Sequence, residues 1–294
     1  MSTKKLIALL ITAAVLIALP IAATAQDYDY HTPEFFNENE YQKLVDFALQ
    51  GDNLAKLNWD LSAPDLWDGV YWEFLEPDGK TVTSITLGGM GLTGRLDVSG
   101  FADLEFLLVG KNQLDGLDLA GNAALELLTC SENNLTALDV TESPNLEFLG
   151  CYENNLTALD LSENPKLWLL SAGSNQLATL DLSKNPLLQD LYCWGNKLTD
   201  ISSLENLQNL RYVVISDNYL DLSDPKTMAV IDKIQQTVLA NGGEGVAYTP
   251  QNEVPPPPTG IADVQGFVVG AVVLVGVSAG LLLTLRTREN TKEF

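Results

Sequence analysis

Leu104-Glu-Phe-Leu-Leu-Val-Gly-Lys-Asn-Gln-Leu114 is one copy of a phrase that the chain writes six times. The other copies start at Leu125, Leu146, Leu167, Leu188 and Leu210, so by subtraction the steps are 21, 21, 21, 21 and 22 residues. Each copy reads L-x-x-L-x-[apolar]-x-x-N-x-L. A fixed period in this range marks a chain built from stacked coils, each burying its apolar side against its neighbours. The central alternation of each phrase is that of a short strand, which sends alternate side chains to opposite faces. Successive coils therefore set their strands about 4.8 Å apart in one parallel sheet.

The phrase resembles the leucine-rich repeat. The segments that follow it, such as Leu159-Asp-Leu-Ser-Glu-Asn-Pro165 and Leu180-Asp-Leu-Ser-Lys-Asn-Pro186, resemble the 21-residue repeats of internalin-like bacterial surface proteins. Residues 188–209, containing Leu198-Thr-Asp-Ile-Ser-Ser-Leu-Glu-Asn-Leu207, resemble their 22-residue form. The resemblance covers about residues 82–220. It implies a right-handed leucine-rich repeat solenoid with a parallel β-sheet on the concave side and turns or 3₁₀ pieces on the convex side. Proline and asparagine in the second half of each unit favour turns over helix there.

Three columns follow from the register. Asn112, Asn133, Asn154, Asn175, Asn196 and Asn218 recur after each strand, where an amide can donate to and accept from backbone groups inside the turn. They are read as architecture. Cys130, Cys151 and Cys193 share the sixth position of the unit, an inward column filled elsewhere by Val109, Ala172 and Ile215. Buried thiols pack as small apolar groups, and some internalin-like repeats carry a related cysteine column. No metal is expected, because spacing of about 21 residues lacks the close thiolate pairs that zinc uses. Asp118, Asp139, Asp160 and Asp181 also stack. Backbone capping is the expected role, with calcium the alternative, although one carboxylate per coil is thin for a six-to-eight-oxygen site.

The outward residues of each strand hold the expected binding site. Phe106 and Phe148 stand at the third position, Tyr192 at the fifth, Tyr152 and Trp194 at the seventh. Trp168 sits at the strand entrance and Tyr212 in the last coil. An exposed apolar patch marks an interaction surface, and tyrosine and tryptophan are common anchors. The expected ligand is an extracellular protein or glycan.

Val82, Ile85, Leu87, Leu92 and Leu96 form a degenerate first repeat with Met90 in the asparagine position, giving seven expected coils over 82–220. Ahead of it, residues 38–81 are read as an N-terminal cap. Tyr41, Leu44, Val45, Ala48 and Leu49 fall at helical spacing, and Trp59, Trp67 and Trp72 have the area to cover the first coil. The block resembles the cap of plant-type extracellular leucine-rich repeat proteins, without its cysteines. Residues 221–250 are read as a C-terminal cap with a helix opening at Asp224-Pro225 and ending at Asn241-Gly242-Gly243.

The two ends concern address. Residues 1–25 have the charge, apolar run and small-x-small site of a signal peptide, followed by a flexible arm over 26–37. Residues 251–266 form a proline-rich linker, and 267–285 are a run of uncharged residues just long enough to span a bilayer as a helix. Arg286 and Arg288 open a cytoplasmic tail over 286–294, leaving the body outside. Pro256-Pro-Pro-Thr259-Gly260 also resembles a sortase signal, which implies cleavage between Thr259 and Gly260 and transfer to the cell wall.

With 16 Lys and Arg against 39 Asp and Glu, the net charge is −23. Such a surface disfavours nucleic acid and anionic membrane and favours basic partners or cations. No catalytic residue is expected. The single histidine is His31, in the arm, and no nucleophile, zinc or phosphate-loop motif occurs. No cofactor is implied. The reading is an exported surface protein, membrane-anchored or wall-attached, that binds or adheres; the alternatives are a passive envelope component or a receptor ectodomain.

Overall fold

The computed structural model describes residues 36–75 and 79–252. The signal peptide, nearly all of the arm, most of the linker, the 267–285 span, the tail and Thr259-Gly260 lie outside the described residues. Among the described residues no helix is long and apolar enough to cross a membrane.

Two helices lead, α1 (Glu38–Ala48) and α2 (Asn53–Leu57), then a 3₁₀ turn at Pro64–Leu66. Asn37 starts α1 by accepting the N–H groups of Asn39 and Glu40. Strands β1 (Val70–Leu75) and β2 (Gly79–Thr86) pair antiparallel. After β2 come β3 (Thr93–Asp97), β4 (Phe106–Leu108), β5 (Gln113–Asp118) and β6 (Leu127–Thr129). The series ends with β7 (Phe148–Gly150), β8 (Leu169–Ser171), β9 (Asp190–Tyr192), β10 (Tyr212–Val214), α3 (Pro225–Ala240) and β11 (Val246–Ala247).

The nine-stranded sheet runs β1-β2-β4-β6-β7-β8-β9-β10-β11, parallel from β2 onward. Its register is exact to the repeat: Leu107, Leu128, Leu149, Leu170, Leu191 and Val213 are successive partners. These residues and the sixth-position column beneath them are buried to 1% exposure or less. The three cysteines are free within that column, and burial pushes the Cys151 and Cys193 thiols up to about 12. They pack as apolar groups.

Each ladder asparagine ties its own turn to the coil before it. Asn154 Oδ1 accepts the Leu135 N–H at 3.0 Å, while Nδ2 donates to Cys130 O at 3.0 Å and Cys151 O at 3.2 Å. Asn133, Asn175, Asn196 and Asn218 repeat the pattern. Asn112 serves the degenerate first coil by accepting from Met90 and Leu92. The preceding residue is left-handed in every one of these turns: Lys111, Glu132, Glu153, Ser174, Gly195 and Asp217 all have positive φ. A left-handed non-glycine residue costs about 1–2 kcal/mol, so the amide bonds hold a conformation that the local sequence resists.

Several features differ from the sequence expectation. The β1–β2 hairpin adds an antiparallel edge to a sheet expected to be parallel throughout. A second, two-stranded parallel sheet, β3–β5, lies on the far side of the first coils, where turns were expected. Phe36, placed in the flexible arm, is buried against Trp72, with Lys80 Nζ 4.7 Å from its ring centroid. Gln251 and Asn252, placed in the linker, dock on the last coil instead. Gln251 Oε1 accepts from the Asn218 and Leu220 N–H groups at 3.2 Å, the acceptor role that the ladder amide plays elsewhere.

The stacked aspartates cap turns. Asp139, Asp160 and Asp181 each accept an N–H two residues on, at 2.9–3.0 Å. The Thr141 hydroxyl and N–H hold the Asp139 carboxyl below the usual range; the N–H and hydroxyl of Ser162 and Ser183 do the same for Asp160 and Asp181. With folded values depressed, their stabilisation is present above the unfolded carboxylate range and is lost as pH falls through the folded values. The triple variant Asp139→Asn, Asp160→Asn, Asp181→Asn keeps an acceptor oxygen at each turn. Its urea midpoint should fall less than the wild type's between about pH 5 and pH 3. Equal slopes would contradict the assignment.

Candidate functional site

Alternation along β4 to β10 sends the third, fifth and seventh positions to the outer face of the sheet, opposite the leucine core. Small residues decide how the rings sit there. A Cβ on Gly173 would come within 2.6 Å of Trp194 Cε2 and Nε1, so the indole lies flat over the neighbouring coil. The same construction at Gly150 meets Phe148 Cε1 and Ser131 Oγ at 3.4 Å. Phe148 and Trp168 meet edge-on, ring centroids 6.3 Å apart. Tyr152 donates its hydroxyl to Glu132 Oε1 at 2.8 Å, and burial raises its phenol above the ordinary range.

The expectation of an openly exposed aromatic face needs correction. Phe148, Tyr152, Tyr192 and Trp194 are 2–8% exposed. Phe106 and Trp168 are half-buried, and Tyr212 is 41% exposed. The rings belong to one face, as the register required. Glycine and serine columns beside them, however, let the larger rings lie down, which a per-strand reading does not show. The accessible aromatic surface is therefore at Phe106, Trp168 and Tyr212.

Four polar atoms on this face are buried without a hydrogen-bond partner: the hydroxyls of Ser131, Ser171 and Ser216 and Trp194 Nε1. Each such group costs about 1–3 kcal/mol; Asn122, Asn164 and Asn185 Oδ1 and the Ser143 hydroxyl, in the turns on the opposite side, are unpaired as well.

Asp190 is the carboxylate of the outward positions in coils β4 to β10. Burial pushes it up to about 6, against the opposing effect of Arg211. A raised carboxyl stabilises the fold most below its unfolded value and loses that contribution as pH rises through the folded one. Asp190→Asn should thus raise stability at pH 7 by about 1–2 kcal/mol, with the gain gone near pH 4. Urea unfolding at both pH values checks it; a destabilised variant at pH 7 would contradict it.

A second buried asparagine column also escaped the sequence reading. Asn122, Asn164 and Asn185 are fully buried and donate across coils, as Asn164 does to Val140 O at 2.9 Å and Ser143 O at 2.8 Å. Asn164 and Asn185 precede proline and Asn122 precedes Ala123, in a turn where an asparagine reads as an exposed residue.

Among the described residues no group of three or more His, Cys, Asp or Glu is placed to hold a metal ion. Residues 186–226 match the family model for leucine-rich repeats. In structure the chain is similar to PEPR1 in its complex with AtPEP1, at 21% identity and a TM-score of 0.57, covering 66% of this chain and 30% of that one. It is also similar to a leucine-rich repeat protein of Leptospira interrogans, at 24% identity and a TM-score of 0.44, covering 54% of this chain and 43% of that one. An internalin of Listeria monocytogenes gives 22% and 0.44, covering 54% and 48%. The chain thus spans less than half the length of either bacterial protein. No curated protein matches it. The match over residues 186–226 and the in-register coils give the chain the fold of a leucine-rich repeat solenoid.

Proposed function

We propose that the chain is a non-catalytic binding protein of the cell surface whose outer sheet face takes an extracellular protein or glycan. The observation that carries this reading is the composition of that face: aromatic, aliphatic and small residues on six rigid, in-register coils, with Asp190 as the single carboxylate of the third, fifth and seventh positions and Glu105, Glu126 and Glu147 at the edge, in the Trp168 column. Low charge and clustered aromatics are features of interface centres.

Residues 1–25 are proposed to direct export, and 267–285 to anchor the body outside the membrane, or to hold it for transfer to the wall at Thr259-Gly260. Adhesion to other cells is the use we infer.

The test follows from the exposures. Tyr152 and Trp194 are packed, so their removal would disturb the face itself. Trp168→Ala with Tyr212→Ala removes reachable rings. Cells displaying the full chain should bind a panel of cell surfaces and matrix proteins, and the double variant should bind at least about 10-fold less, the loss of one anchor of 1.4 kcal/mol or more. Retained binding with an unchanged circular dichroism spectrum would reject this face as the site.

A further inference from the structure

A different part of the molecule offers an open strand edge. Strand β5 pairs with β3 on one side from Thr93↔Gln113 to Asp97↔Asp118, with Asp115 as an extra residue where the register shifts between Gly94 and Arg95. On its other side the next coil makes one bond at the start, Asn134 N–H to Leu114 O at 2.9 Å, and residues 134–139 then form no strand. Between them lies a cleft of about 300 Å³, bounded by Arg95, Asp115, Leu117, Asp118, Ala137 and Glu142 among others. A parallel strand directs its main-chain N–H and C=O groups to both sides. The side of β5 away from β3 therefore opens on this cleft over residues 116–118, beyond the bulge at Asp115. Such edges are templates for another strand.

We propose that this edge accepts a short extended basic segment of a partner protein as an added strand. The mode is strand addition, in which main-chain hydrogen bonds give affinity and alternate side chains give selectivity. Three residues of regular edge, at about 3.3 Å each, hold roughly three residues of partner. Gly116 and Ala137 keep the cleft walls low, and the buried Leu117 gives it an apolar base. Charge selects the occupant. Arg95 is the cation of the cleft and is already paired to Asp118 at 3.0 Å. Asp115, Asp139 and Glu142 complete a set of four carboxylates against that one cation. An acidic segment is repelled there, and one alternating lysine with small apolar residues is matched.

The test uses the full chain and a fluorescent peptide, acetyl-Lys-Val-Lys-Val-Lys-Val-amide, at physiological salt. Its glutamate counterpart and a version N-methylated at alternate backbone nitrogens serve as comparisons. The basic peptide should bind saturably; the N-methylated one should bind at least about 10-fold more weakly, and the acidic one not measurably. Ala137→Trp, at an exposed position, fills the cleft and should weaken binding at least about 10-fold, with circular dichroism unchanged. No saturable binding, equal binding of the N-methylated peptide, or an unaffected Ala137→Trp variant would each overturn the proposal. Trp168→Ala with Tyr212→Ala should leave this binding intact, which separates it from the outer face.

Discussion

Asn154→Leu should destabilise the solenoid by about 3–5 kcal/mol, a large effect for one uncharged side chain. The change leaves the Leu135 N–H without its partner and removes one of two amide donors from the Cys130 and Cys151 carbonyls, which keep Asn133 and Asn175. Leucine shares asparagine's branching at Cγ and leaves no cavity, so the loss combines one unpaired N–H, at about 1–3 kcal/mol, with the strain of a larger side chain, at about 1–3 kcal/mol. The left-handed Glu153 beside it loses the bonds that hold its turn. Because each coil contacts only its neighbours, the damage should centre on coils β6 and β7. Urea denaturation of the variant measures it, and a loss below about 1 kcal/mol would mean that the ladder contributes little.

Leu149→Ala should cost about 3–4 kcal/mol. Leu149 is fully buried between Leu128 and Leu170, its partners in the strands on either side. The price of such a truncation depends on how far the surroundings collapse. Here they are pinned in register by strand bonds and by the asparagine amides, so little collapse is available and the low end of the usual range does not apply. Leu108→Ala is the control. Leu108 stands on the outer face and is half-buried, so its truncation should cost no more than about 1 kcal/mol. Equal losses at the two positions would mean that the inward and outward assignments are wrong.

The stacking, the inward leucines and the ladder were legible because each is local to one repeat and is written six times. Position Asn154 declares its neighbours through Asn133 and Asn175, without any knowledge of three dimensions. What stayed hidden depends on contacts between repeats. The burial of Trp194 follows from the absence of a side chain at Gly173, one coil earlier, and a strand-by-strand reading assigns both simply to the outer face. Asn164 and Asn185 read as turn residues because asparagine before proline is usually exposed; their burial comes from the carbonyls of the previous coil. Gln251 stands outside the repeat register altogether, and its longer side chain reaches the Asn218 and Leu220 amides from a segment with no periodic signal. Phe36 gave no signal either, since one aromatic ahead of a helix has no pattern to belong to.

The outer face depends on coils held rigidly in register, so backbone protection at the ladder is the most direct measurement. The N–H groups of Leu114, Leu135, Leu156, Leu177 and Leu198 all donate to asparagine side chains of the following coil. Amide hydrogen exchange should show all five as a slowly exchanging set, with opening free energies near that of global unfolding. Exchange of these five as fast as that of solvent-exposed turn amides would contradict the stacked-coil account and the binding face built on it.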